Sequence, residues 1–322
     1  MTSPLNICLL SSLAAALVTA LVLPLWRTWC RRIGLVDDPG HRKIHEQPTP
    51  LAGGLAVLTG LLLTLFAAWV AWVIPNFLNT ETSRHFAQQS ATLTAILIGA
   101  AAMTLLGLLD DKFELRPIIK FSGQLLIAAA VTAAGVRLGL FASHPFLNHA
   151  VTILWILTVT NAFNFMDNMN GLCAGLGIIA AVFTGSIALL HSQFPIALLA
   201  FAVSGAALGF LPSNYPRATV FLGDAGSHLL GFLLAVLTIQ PDLWASARPS
   251  AFSILGPILL LAVPLFDLVS VILIRTRMGK PFYIGDNNHL SHRLVRHGFR
   301  RTTAVALIWI LSILGGALAF LL

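Results

Sequence analysis

Charged side chains are scarce in this chain. Only 10% of its 322 residues are Asp, Glu, Lys or Arg, where a soluble domain carries about 25%. Hydrophobic residues make up 57%, and the mean hydropathy is +0.87. So few polar groups cannot cover a surface that faces water, so lipid must be part of the solvent. The same composition excludes a disordered chain. Cysteine is equally scarce. Cys8, Cys30 and Cys173 are far apart and set in apolar stretches. That excludes a disulfide framework and a cysteine zinc site, and leaves them as small hydrophobes. The net charge of +7 invites a nucleic-acid reading. No Lys/Arg run interleaved with aromatics supports it, so no nucleic-acid partner is expected. The first basic residue is Arg27. The apolar stretch before it lacks a charged leader and reads as a retained span, not a cleaved signal.

Long apolar runs are what the chain has in abundance. A spanning helix needs about 20 mostly apolar residues. Ten segments are candidates: 5–26, 51–74, 90–109, 118–135, 150–166, 172–190, 195–212, 225–240, 251–274 and 303–322. Backbone groups in hydrocarbon must bond internally, which favours helices. The runs are too long and uniform for barrel strands. The expected fold is all-α, a polytopic integral membrane protein of about ten transmembrane helices, one domain over residues 1–322. Basic residues set the orientation. Sixteen lie in the loops after spans 1, 3, 7 and 9 and at the near end of span 4, against three (Arg84, Arg137 and Arg248) on the opposite side. The richer side is assigned to the cytoplasm, which leaves both termini on the non-cytoplasmic side.

Ten of the twelve acids fall on that cytoplasmic side. Asp110, Asp111, Asp167, Asp224 and Asp267 sit at or inside the ends of apolar spans, where an acid is costly and marks a functional site by default. Together they predict a polar cleft open to the cytosol. Carboxylates intermixed with Lys, Arg and His suit a metal-bound diphosphate: hard oxygens hold Mg²⁺ and cations neutralise phosphate. Phosphoryl transfer needs mainly such positioning and charge neutralisation.

Five segments carry this chemistry, each beside a plainer alternative. Asp110-Asp111 ends span 3, where a solvated flank is the alternative. Asn161, Asn164 and Asp167 share one helix face; interhelical hydrogen bonding is the other account of such a stripe. Asn170-Gly171 follows as a break where backbone could approach a ligand. Asp224 stands between Gly223 and Gly226, just before span 8, in a position that also suits a helix cap. His289, His292 and Arg293 lie in a basic loop, where phosphate or sugar contacts compete with zinc or with anchoring to anionic lipid. The first loop combines Arg42, Lys43 and His45 with Pro39, Pro48 and Pro50, and could serve charge anchoring alone.

Taken in order, these segments resemble the polyprenyl-phosphate N-acetylhexosamine-1-phosphate transferases of glycosyltransferase family 4, over roughly residues 30–300. The Arg42-Lys43-x-His45 loop looks like the GlcNAc-1-phosphate branch rather than the muramoyl-pentapeptide branch. By resemblance, Asp110 and Asp111 match the paired catalytic aspartates. Lys120 and Gln124 fall where the next helix faces the cleft. Asn164 and Asp167 match an Asn-x-x-Asp on the uridine-diphosphate side. Asp224 matches the Mg²⁺ ligand, with Asn164 beside it. Lys43, His45, His289, His292 and Arg293 match cationic substrate contacts. The chain departs from the family at three places. Asp167-Asn168-Met169-Asn170-Gly171 stands for Asp-Gly-x-Asp-Gly, so Asn170 offers an amide where the family has a carboxylate. Ser291 replaces the middle His of His-x-His-His. Asn287 replaces an Arg.

The resemblance implies an Mg²⁺-dependent enzyme, with Mn²⁺ the alternative ion. It would move a sugar-1-phosphate, GlcNAc-1-phosphate first among them, from a UDP-sugar to undecaprenyl phosphate and release UMP. It would do so at the cytoplasmic face of a bacterial inner membrane, alone or as a homodimer. Direct attack by the lipid phosphate and a covalent aspartyl intermediate are both compatible with the family. An ion- or proton-coupled transporter is the competing class, and another UDP-N-acetylhexosamine the competing substrate. A CDP-alcohol phosphotransferase lacks support, because its Asp-Gly-x-x-Ala-Arg run is absent.

Overall fold

Helix dominates, as a lipid solvent requires. The computed structural model describes residues 3–37, 48–76, 80–138, 144–240, 252–281, 283 and 285–321, without the side chains of 72–76, 80–90 and 252–254. Of the described residues, 80% are helical. Among the described residues the order is α1 (Pro4–Arg32), β1 (Val36–Asp37), β2 (Thr49–Pro50), α2 (Gly53–Asn76), α3 (Thr80–Phe113), α4 (Pro117–Ala133), α5 (Pro145–Met166), α6 (Leu172–Leu190), α7 (Phe194–Phe210), α8 (Gly223–Thr238), α9 (Phe252–Leu260), α10 (Ala262–Arg277), α11 (Leu290–Arg296) and α12 (Arg301–Phe320). Among them, seven helices are long and apolar enough to cross a membrane: α1, α2, α3, α5, α6, α7 and α12. The chain is thus a multi-pass membrane protein. Apolar helices α4 and α8 have 17 and 16 residues, short of the usual span.

The run expected to be one span over 251–274 is instead two helices. α9 ends at Leu260 and α10 starts at Ala262, with Leu261 between them in a non-helical conformation. Pro264 removes a backbone donor, and its ring opposes the carbonyl four residues back, that of Leu260. A hydropathy window does not register that local conflict.

Helix α8 is the hub. Its residues from Ala225 to Thr238 are all buried, as expected of a helix that is apolar on every side. It packs chiefly on α3 and α5, with α2 and α6 completing its surround. The outer helices behave oppositely. α1 buries Cys8, Ala15 and Leu23 but exposes Leu10, Leu13, Leu17, Leu21 and Leu25, a surface suited to lipid. Its inner face meets α7 closely. A Cβ at Gly205 or Gly209 would strike the backbone carbonyl of Ser12 or Ala16, so this small-x-x-x-small stripe sets the helix separation.

The two strands pair antiparallel, Val36 with Pro50 and Asp37 with Thr49. Pro50 carbonyl accepts from Phe221 N–H at 3.0 Å, and Gly53 and Gly54 N–H donate to Phe221 and Leu222 carbonyls at 2.9 and 3.0 Å. The C-terminal end of the first loop is therefore tied directly to the entry of α8, and its N-terminal end through the β1–β2 pairing. Lys43 and His45 lie within that loop, outside the described residues.

Candidate active site

One cavity of about 1180 Å³ opens where the ends of α3, α5, α8 and α12 meet, and it is lined in part by Asp110, Asp111, Asp167, Asn170, Asp224, His292 and Arg301. Four of the five expected acidic positions thus converge. The fifth, Asp267, lies one layer behind.

Asp224 sits in the first turn of α8. It does not cap that helix. The cap comes from α3: Asp111 accepts from the Asp224 and Ala225 N–H groups at 2.8 and 3.1 Å. A carboxylate here also complements the helix dipole. Gly223, at φ +73, has no room for a side chain, because a Cβ would lie 2.6 Å from Asp111 Oδ2. The neighbouring aspartates therefore divide their work. Asp111 orients α8. Asp110 accepts from Leu115 N–H at 2.9 Å and pairs with Lys120 at 2.6 Å.

Lys120 joins the elements. Its ammonium also pairs with Asp224 Oδ2 at 2.6 Å and donates to Asn164 Oδ1 at 3.3 Å. Asn164 in turn donates to Asp224 Oδ1 at 2.7 Å and to Ser227 at 3.0 Å. One turn earlier, Asn161 donates to Gln124 Oε1 at 2.7 Å. The asparagine stripe makes interhelical bonds. Asn161 bonds α5 to α4, and Asn164 bonds α5 to Asp224 and Ser227 of α8; neither is among the residues lining the cavity.

The turn after α5 carries Asp167 to Asn170 along the cleft wall. Gly171 adopts φ +77, and a Cβ there would meet the Tyr215 ring at 2.7 Å. Its N–H donates to Asn214 Oδ1 at 2.6 Å, and Asn214 donates to Val220 carbonyl at 3.0 Å. Asn170 donates to Pro216 carbonyl at 3.4 Å. Burial raises the Asp167 carboxyl well above its ordinary range, and the charges of Asp224 and Asp111 add to this against the Gly223 N–H.

The histidine loop is arranged in two layers. His292 faces the cleft; burial lowers its pKa, and the charges of His289, Arg301 and Arg296 lower it further. His289 is turned away onto α10, where its Nδ1 lies 2.7 Å from Asp267 Oδ2. Asp267 also accepts from Leu290 N–H at 2.5 Å. Arg293 donates to Ser270 at 3.1 Å and is not among the lining residues. Asp286 pairs with Arg275 at 3.1 Å. Burial alone would raise Asp286, but Arg275 and the donors of Asn288 hold it at about 2. Among the described residues, no group of three His, Cys, Asp or Glu side chains is arranged to hold a metal.

Several lining residues were not expected. Arg301, Tyr215, Tyr283, Asn287 and Glu114 all face the cavity. Arg301 was counted only as a topology charge. Its place in the first turn of a span, nine residues after His292, was the available signal.

The comparisons agree on one family. Glycosyl transferase family 4 matches residues 93–242. The chain is 34% identical to "Probable undecaprenyl-phosphate N-acetylglucosaminyl 1-phosphate transferase" of Bacillus subtilis, over 92% of this chain and 80% of that protein. The chain belongs to glycosyl transferase family 4. A second member, "Decaprenyl-phosphate N-acetylglucosaminephosphotransferase" of Mycobacterium tuberculosis, is 33% identical over 98% of this chain and 82% of its own. A third, "Undecaprenyl-phosphate alpha-N-acetylglucosaminyl 1-phosphate transferase" of Escherichia coli, is 28% identical over 91% and 77%. The family-matched region holds Asp110, Asp111, Lys120, Asn164, Asp167 and Asp224. The histidine loop and α12 come from beyond it.

Proposed function

We propose that the chain transfers N-acetylglucosamine-1-phosphate from UDP-N-acetylglucosamine to a polyprenyl phosphate, releasing UMP at the cytoplasmic face of a bacterial inner membrane. The observation that carries this reading is Lys120 clasped by Asp110, Asn164 and Asp224, two of which, Asp110 and Asp224, line a cleft together with His292 and Arg301. The names of the family relatives agree with it. The basic loops, by their excess on one side, support the cytoplasmic assignment. A transporter has no support, because Asp110, Asp167 and Asp224 gather around one cavity rather than being distributed along a path.

In the reaction, a lipid phosphate oxygen attacks the sugar-side phosphorus of the UDP-sugar. The bond from that phosphorus to the bridging oxygen breaks, and the oxygen leaves with its electron pair on UMP. Asp111 is committed to two backbone N–H groups, so Asp110, beside Lys120, is the carboxylate that positions the lipid phosphate. His292 and Arg301, which line the cleft, neutralise phosphate charge. Lys120, paired with Asp110 and Asp224, offsets the charge of those two carboxylates.

The donor set suits Mg²⁺. Six carboxylates line the cavity (Asp37, Asp110, Asp111, Glu114, Asp167 and Asp224), an excess of negative charge around the seat of an anionic substrate. Mg²⁺ takes one or two carboxylates and fills its remaining positions with water and substrate phosphate. Asp224 and Asn164 would hold it. When bound, the ion supplies charge neutralisation to the diphosphate.

The test is purified protein with undecaprenyl phosphate, Mg²⁺ and a panel of UDP-N-acetylhexosamines, read as UMP released. UDP-N-acetylglucosamine should give the highest yield, and chelation should remove it. Asp224→Asn should lower the rate by about a hundredfold or more. No UMP from any donor overturns the proposal, and full activity of the variant overturns the role of Asp224.

A further inference from the structure

Helix α11 is short, only seven residues from Leu290 to Arg296. A helix of that length is not stable alone, so its position is set by side chains that tie it to its neighbours. Two ties run to α10: Asp267 to Leu290 N–H and Arg293 to Ser270. A third runs elsewhere. The Ser291 hydroxyl donates to Asn168 Oδ1 at 2.5 Å. Asn168 belongs to the turn after α5, whose four residues Asp167 to Asn170 line the cleft. Ser291 immediately precedes His292, which lines the cleft from the other side.

The bond is well specified. Ser291 is 0% exposed, so its hydroxyl has no water with which to exchange. The Asn168 amide donates to Phe165 carbonyl at 2.5 Å, which fixes which end of the amide is presented to Ser291. The two residues, 123 apart in sequence, meet as donor and acceptor.

We propose that Asn168 and Ser291 are a matched pair of positioning residues that fixes His292 relative to the Asp167–Asn170 turn, and thereby sets the seat of the UDP-sugar. This rests on the transfer reaction proposed above. Neither residue needs to touch the reacting phosphorus. Their bond joins the two walls that close on the donor substrate, while the Asp110–Lys120 side is left alone.

A double-mutant cycle on the full-length protein in detergent tests this. The variants are Asn168→Ala, Ser291→Ala and both together. Each single change should raise KM for the UDP-sugar by about three- to tenfold, the range of one buried hydrogen bond. KM for polyprenyl phosphate should not move. The double variant should be no worse than the more impaired single, because one bond is lost only once. Amide hydrogen exchange over 290–296 should rise equally in all three. A fall in kcat with both KM values unchanged would indicate only a smaller folded fraction and overturn the proposal, as would additive losses. If the wild type releases no UMP from any donor, the transfer reading fails by itself. The exchange cycle then still decides the pair: unchanged or additive exchange overturns it, and equal non-additive exchange upholds its structural half.

Discussion

Asp111 contributes most of its effect through another residue. Its two oxygens satisfy the first N–H groups of α8, and those donors would otherwise be left open at a buried helix end. Asp111→Ala should therefore lower stability by about 1–2 kcal/mol, the cost of a lost N-cap, measured as thermal unfolding in detergent. UMP release should fall too, since Asp224 lies in the uncapped turn. Adjacent helical positions diverge, so Asp110 and Asp111 cannot both serve one partner. Which acid did which was not legible, because the partner N–H groups lie 113 residues away. Asp286 offers a test in pH. Its carboxyl is held at about 2 against an ordinary 3.8, so the ionised form is favoured in the folded loop. Such a group adds stability above its unfolded value, and that stability is lost as pH falls through the folded one. Amide exchange at 286–292 should therefore be slower in wild type than in Asp286→Asn at neutral pH, with the difference fading as pH drops from 3.8 towards 2.

Close approach between α3 and α8 sets the site at the scale of elements. A Cβ at Gly107 would lie on the Asp224 carbonyl, and one at Gly54 on the Gly226 backbone. Backbone cannot yield as a side-chain tip can. Gly107→Ala should push the start of α8 outward and part Asp224 from Lys120. A misplacement near 1 Å at such a site costs about a hundredfold in rate, so UMP release should fall by that order. Gly99→Ala on the same helix is the comparison. Its Cβ would meet the ring tip of Phe232 and a methyl of Val131, each at 2.6 Å. It should cost about 1–3 kcal/mol of stability by overpacking, with a much smaller effect on turnover of the folded protein. Equal activity losses in the two variants would remove Gly107 from any special role. The glycines were visible in the sequence, but their contacts were not, because a hydrophobic run does not say which neighbour it meets. The break at Leu261 was hidden for a related reason. Window averages count Pro264 as one mildly polar residue, while its steric effect is felt four residues earlier.

At the scale of the whole molecule, charge asymmetry in the loops was the most informative feature of the sequence. It placed the acidic segments at one end of the bundle before any contact was known, and the cavity gathers Asp110, Asp167 and Asp224 there. It also predicts an orientation that chemical labelling can test. Arg217 is exposed and sits between Pro216 and Ala218, both of which line the cleft. His191 is exposed as well and follows the last residue of α6, whose 19 residues begin beside Gly171 at the cleft. At 1.5 Å per residue that helix carries the chain about 28 Å, close to the thickness of the hydrocarbon layer. The two positions should therefore lie on opposite sides of the membrane. The native cysteines give little background, since Cys8, Cys30 and Cys173 are all buried. Arg217→Cys and His191→Cys can each be treated with a membrane-impermeant maleimide in intact cells and again in inverted vesicles. Arg217→Cys should label only in inverted vesicles and His191→Cys only in intact cells. The reverse pattern would place the cleft outside the cytoplasm, away from a supply of nucleotide-sugar, and would refute the direction of transfer proposed here. Labelling of both from one side would mean that α6 does not cross.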